Sequence, residues 1–297
     1  MSKEAALFVV VEGRTFDTPF YERIVRSSDI LCSSGYQFWL VEQITRSTPA
    51  GGNRVAGGKE AMLALYDLYR KSKQLQITNS AGKRSIVFCV DRDVDDISGS
   101  LRRSPHIIYT PLADAEACAY IYGDMTKAVS LAVSVDEKTA EQFVNAHRDW
   151  ANRLANAWRD WIELCCLAAA HCAYCHVGTT KQSTVNKDVY GETLRREVVK
   201  AKRVILAKSQ LAETRRAQVE EKIRTRLRRV YSAGKQHRLV GKHWIADYLQ
   251  HLLTEYFGGS PVALKRFKAN APIAFLTFLD LNGRWAAAYR RKLEALV

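Results

Sequence analysis

A chain of 297 residues, 47% of them hydrophobic and with a formal net charge of +14, is long enough to bury one α/β core with a second unit beside it. The first apolar run, residues 5–11, stops at Glu12; it is too short for a signal peptide or a membrane span, and no other stretch approaches transmembrane length. Seven cysteines, an odd number without the spacing of a disulfide framework, point to a reducing cytoplasm rather than a secreted protein.

In chain order, residues 5–13 predict a strand, 17–28 a helix with Phe20, Ile24 and Val25 inward, and 36–44 a second strand followed by a loop to 59. Residues 58–72 predict a helix burying Met62, Leu65, Tyr66 and Tyr69, and 85–90 a buried, β-branched strand. A strand at 106–110 and a short helix at 116–122 complete the alternation. That pattern predicts an α/β fold, a parallel sheet with crossover helices over residues 1–133.

From residue 134 the pattern is helical, and 134–297 is expected to form a basic α-helical domain. Ser134 with Glu137 reads as a capping box, opening a helical pattern through Phe143, Trp150, Leu154, Trp158, Trp161 and Cys165. Residues 177–188 read as a loop, 192–231 as a basic helical stretch and 241–259 as an amphipathic helix, with two more helices to the C-terminus. No internal repeat is visible.

Charge follows the same division. Residues 1–150 carry 18 Lys/Arg against 19 Asp/Glu, and residues 151–297 carry 27 against 12. A near-neutral half with clustered acids joined to a basic half suggests an acidic site beside a polyanion-binding surface. Binding of an acidic protein, or simple solubility, would also account for the basic residues.

Two strand ends carry carboxylates. "VVVEG" puts Glu12 immediately after the first strand, and "IVFCVDRDVDD" puts Asp91 and Asp93 after a later one, with Asp95 and Asp96 close behind. Clustered carboxylates repel one another unless cations or basic groups sit nearby. Brought to one sheet edge, Glu12, Asp91 and Asp93 would suit Mg2+ or Mn2+, hard ions that take oxygen ligands, and the chemistry served would be phosphoryl transfer or phosphodiester hydrolysis. The alternative is a set of loop carboxylates that cap the following helices.

These motifs resemble the Toprim domain of topoisomerases, primases and OLD-type nucleases. In order, "VEG…D…FYERI", "GGKEAMLALY", "VFCVDRDVDD" and "YTPLADAEACAYI" resemble more closely a Toprim-like bacterial family, the effector nucleases of the PARIS anti-phage defence system. The resemblance covers about the first 125 residues, with a fainter match at "LVGKHWIADYL". It implies a Toprim-like sheet in which Glu12 acts in proton transfer or as a ligand, Asp91 and Asp93 form the metal-binding DxD pair, and Glu116 is a further ligand. Asp17 matches an acidic position of the family, one residue further from Glu12 than usual. The resemblance further implies a cytoplasmic defence effector, a toxin acting on nucleic acid (tRNA or DNA), an ABC-type ATPase partner and a homodimeric active form, with no membrane association.

Three other features bear on function. "CCLAAAHCAYCH" (165–176) superficially resembles a zinc set, but Cys165, Cys172, Cys175 and His176 continue the preceding helical stripe, no second CxxC exists, and core packing is expected. Residues 195–242 hold 16 Lys/Arg against 4 Asp/Glu; Lys222, Arg226 and Arg229 fall on one helix side, where phosphate contacts would give salt-dependent affinity, although a solvated face is the usual fate of such runs. Lys59, after two glycines, would touch a phosphate or simply begin its helix.

The expectation is a Mg2+-dependent Toprim-type nuclease. Its rival is a non-catalytic Toprim scaffold docking on an ATPase or nucleic acid. Nucleotidyl transfer of the primase type ranks third, as no Walker A motif is present.

Overall fold

The computed structural model of the chain describes residues 5–47, 58–80, 82–172, 185–187, 190, 193–258 and 262–297. Its centre is a sheet of five strands: β1 (Leu7–Val11), β2 (Tyr36–Leu40), β3 (Gln76–Asn79), β4 (Gly82–Val90) and β5 (Ile107–Tyr109). β2, β1, β4 and β5 lie side by side and parallel, while β3 runs antiparallel along the first half of β4. Val10 lies opposite Phe88, and Val90 opposite Tyr109, so the carboxyl ends of the three strands finish level.

Both faces of the sheet are covered, which is why β1 and the second half of β4 are apolar at successive positions rather than alternately. Val9, Val11, Val87 and Cys89 face one core with Phe20, Tyr21 and Ile24 of α1 (Asp17–Arg26). Val10, Phe88 and Val90 face the other core. After the short α2 (Asp29–Ser34), β2 and α3 (Val41–Ser47), that second core receives Met62, Leu65 and Tyr66 of α4 (Lys59–Lys71). The chain therefore leaves β1 toward β2 over one face, then returns past β1 to β4 over the other. The crevice between the ends of β1 and β4 is a topological switch point, where open parallel sheets bind their ligands.

Beyond β4 come a single turn, α5 (Asp95–Ser98), then β5 and α6 (Ala115–Tyr122). The helices that follow are α7 (Met125–Val133), α8 (Glu137–Ala146), α9 (Trp150–Ala157), α10 (Arg159–Ala170), α11 (Arg195–Ala207), α12 (Glu213–Ser232), α13 (Lys242–Tyr256), α14 (Val262–Thr277) and α15 (Arg284–Glu294). The larger core runs without a break from Leu7 to Leu296, across residue 133. The last helix returns to the sheet: the Tyr21 and Tyr289 rings lie 5.8 Å apart, and Ser85 Oγ donates to the Leu296 carbonyl at 2.6 Å. Among the described residues no helix is long and apolar enough to cross a membrane.

Several boundaries differ from expectation. The strand predicted for 36–44 ends at Leu40 and turns directly into α3. α8 is capped by Asp136, whose Oδ1 accepts from Thr139 N–H at 2.9 Å; Ser134 instead ends α7 in the left-handed region at φ +56°. The helical pattern that opens there is three helices, and the basic stretch is two, α11 and α12, broken at 208–212. Most of the predicted loops 45–59 and 177–188 lie outside the described residues.

Candidate acidic site at the sheet edge

Two backbone turns shape the crevice. At the end of β1, Gly13 N–H donates to Asp17 Oδ2 at 2.7 Å, and a Cβ at position 13 would stand only 3.2 Å from that oxygen. The glycine thus lets the first turn of α1 fold back over the strand end. At the end of β4, Arg92 N–H donates to Thr110 Oγ1 at 2.9 Å and Asp93 N–H to the Ala113 carbonyl at 2.7 Å. These bonds hold Asp93 at φ +48°, a conformation aspartate adopts more readily than most side chains.

Asp91 is the centre of the acidic group. Burial pushes its carboxyl well above the usual carboxylate range, and Asp114, Asp17, Asp93 and Glu116 push it further by like-charge repulsion. Asp114 is buried and caps α6, its Oδ1 accepting from Ala117 N–H at 2.6 Å. A Cβ on Gly241 would stand 2.9 Å from Asp114 Oδ2, so the lead-in to α13 also closes on this carboxylate.

Strand alternation separates the predicted set. Asp91 continues the side of Cys89, toward α1 and α6, whereas Glu12 continues the side of Val10, toward α4. Glu12 Oε1 would lie 3.4 Å from a Cβ on Gly58, the residue before α4, which sits at φ +92°. Lys59 opens that helix and pairs with Asp93 at 2.9 Å and Asp95 at 2.6 Å. Burial lowers the Lys59 ammonium, but the two carboxylates reverse this and leave it raised. Asp95 is itself raised, because burial outweighs the pull of Lys59. Asp96 pairs with Arg238. Three of the four clustered aspartates therefore have basic partners, and Asp91 sits among further acids.

The structure thus brings Glu12, Asp91, Asp93 and Glu116 to one sheet edge, with Glu12 and Asp93 on the α4 side and Asp91 and Glu116 on the α6 side. Lys59 is an ion-pair partner of the acids, and its ammonium is committed to Asp93 and Asp95. Among the described residues no group of three Asp, Glu, His or Cys side chains is drawn together tightly enough to hold a metal ion. The donor chemistry does fit a hard divalent cation: oxygen-only groups around a carboxyl that burial and like-charge repulsion raise, a repulsion that a bound cation would relieve.

Asp114 was not singled out from sequence, and neither was Arg238. The signal for Asp114 was present in "ADAEA", an aspartate two residues before Glu116, but an N-cap residue gives the same signal. Lys222, Arg226 and Arg229 are exposed on α12, on the flank of the helix beside buried Ile223 and Leu227. Arg226 reaches the acidic segment, donating from Nη1 to the Ile97 carbonyl at 2.8 Å. In the cysteine cluster, Cys165 and Cys166 are buried, but α10 ends at Ala170 and Cys172 is exposed at φ +52°. The expected apolar stripe therefore stops before Cys172, because the helix that would carry it has ended; Cys175 and His176 lie outside the described residues.

No family model, no curated protein and no solved structure matches the chain.

Proposed function

We propose that the chain is a metal-dependent phosphodiesterase, a Toprim-type nuclease acting on nucleic acid, with tRNA or DNA as substrate. The observation that carries this reading is the gathering of carboxylates around Asp91 at the switch point of a parallel sheet, beside a basic helix. Asp91 would hold the cation, with Asp93, Glu116 and Glu12 as further ligands and Asp114 and Asp17 adding negative field. A bound Mg2+ or Mn2+ would supply charge stabilisation to the phosphoryl oxygens. Glu12, on the α4 side of the crevice, would carry a proton to or from the reacting groups, and α12 would bind the substrate backbone through Lys222, Arg226 and Arg229. By the same resemblance, the protein would serve as an anti-phage effector restrained by an ABC-type ATPase and active as a homodimer.

One observation favours a second reading. Lys59 neutralises Asp93 and Asp95, and Arg238 neutralises Asp96, as expected of a scaffold whose acids serve the fold. Manganese titration followed by electron paramagnetic resonance separates the two. The nuclease reading predicts saturable Mn2+ binding that is lost in Asp91→Asn; a scaffold predicts no saturable site, or one that the substitution leaves unchanged.

A further inference from the structure

A cavity of about 440 Å³ flanks the acidic segment along the outer edge of β5. Arg92, Arg102, Arg103, Arg226 and Lys292 bring five cations to its lining, against only Asp95 and Asp96. Both of those carboxylates are already paired, to Lys59 and Arg238. The remaining wall is partly apolar, formed by Leu101, Ile107 and Tyr109.

Two of the cations are held in position before any ligand arrives. Arg226 crosses the loop after α5 and bonds the Ile97 carbonyl at 2.8 Å. Its passage depends on Gly99, which sits at φ +90° and whose Cβ would stand 2.9 Å from Arg226 Nη1. Arg102 is fixed by Asp67 at 2.6 Å, and its N–H donates to Tyr109 Oη at 3.1 Å. Arg92 Nε, on the cavity lining, is buried without a hydrogen-bond partner. Buried donors without partners are costly, and oriented guanidinium groups match phosphate oxygens in geometry as well as charge.

We propose that this cavity binds a phosphate group carried on a nucleoside, with the phosphate at the arginines and the base against the Leu101–Ile107–Tyr109 wall. The volume suits one nucleotide rather than a duplex. The ligand is either a free mononucleotide or one unit of a nucleic-acid chain; only the second source rests on the nuclease reading above, whose scissile phosphate would then lie beside the cavity.

Calorimetric titration in EDTA, where metal-dependent hydrolysis is silent, tests this with adenosine, adenosine monophosphate and the dinucleoside monophosphate ApA. Wild-type protein is expected to bind one or both phosphate-bearing ligands at least about tenfold more tightly than adenosine, with inorganic phosphate competing. Tighter binding of ApA assigns the cavity to a nucleic-acid chain, and tighter binding of the monophosphate to a free nucleotide. Arg103 and Lys292 are exposed and make no ion pair among the described residues, so Arg103→Gln with Lys292→Gln should fold normally and lose most of the phosphate-dependent gain. Equal binding of all three ligands, or an unchanged gain in the folded double variant, would overturn the proposal. Phosphate-dependent binding by a protein that never cleaves nucleic acid would retire the nuclease reading alone. Cleavage without phosphate-dependent binding would retire the cavity alone.

Discussion

Asp91→Asn is expected to lower metal-dependent cleavage by about 100- to 1,000-fold, the range for losing one preorganised electrostatic element of a site, and at the same time to raise the stability of the metal-free protein. Burial and four neighbouring carboxylates raise the Asp91 carboxyl above its ordinary value. A raised acid binds its proton more tightly in the folded state than in the unfolded one. Its contribution to stability is therefore fully present below the unfolded value, near pH 4, and is lost as pH rises through the folded one. Asparagine keeps the shape and removes this penalty. At pH 7.5 in EDTA the variant should melt higher than wild type by at least about 2 °C, and the gap should close toward pH 4. Added Mn2+ should raise the melting temperature of wild type only. Differential scanning calorimetry across pH, with and without metal, reads all three effects. A variant less stable than wild type at pH 7.5 would mean that Asp91 makes a structural bond its neighbours' charges do not account for.

Lys59→Met should be the most destabilising single change at the site. Lys59 and Asp95 are both largely enclosed, at 20% and 13% side-chain exposure, whereas Asp93 is more open at 55%. Removing the ammonium leaves Asp95 as a buried charge without this cation, which costs about 3 kcal/mol, the lower end for breaking a buried pair. Because Asp95 is already raised by burial even with Lys59 present, losing the cation raises it further. The deficit should therefore be full at neutral pH and shrink as acid protonates Asp95. Urea unfolding at pH 7.5 and pH 4.5 measures both. A deficit that is the same at both values would assign the loss to packing at the start of α4 rather than to charge.

Much of the sheet was legible because its inner strands are buried on both faces. Residues 7–11 and 85–90 are apolar at nearly every position, and α4 shows one unbroken apolar side through Met62, Leu65 and Tyr66. β3 was not, since all four of its residues are exposed and nothing in "QITN" is patterned by a core. The break of the basic stretch at 208–212 was hidden for the opposite reason: the residues around it are good helix formers, and tertiary packing decides where the chain turns. The carboxylates Glu12, Asp91 and Asp93 were visible as strand-end acids. That Glu12 and Asp91 leave on opposite sides could not be read, because it depends on β1 and β4 being direct neighbours in one register, with Val9 against Val87. Lys59 and Arg238 as partners of the acids lie 34 residues from Asp93 and far along the chain from Asp96, a separation only the fold removes.

Whether the carboxylates around Asp91 carry out metal-dependent hydrolysis of nucleic acid is tested by incubating purified wild-type protein with tRNA, single-stranded RNA, plasmid and linear DNA, in Mg2+, Mn2+ or EDTA, with Asp91→Asn alongside. A metal-dependent nuclease cleaves at least one class in Mg2+ or Mn2+ and none in EDTA, and the variant cleaves little. No cleavage of any class, or cleavage that persists in EDTA and in Asp91→Asn, would contradict that reading.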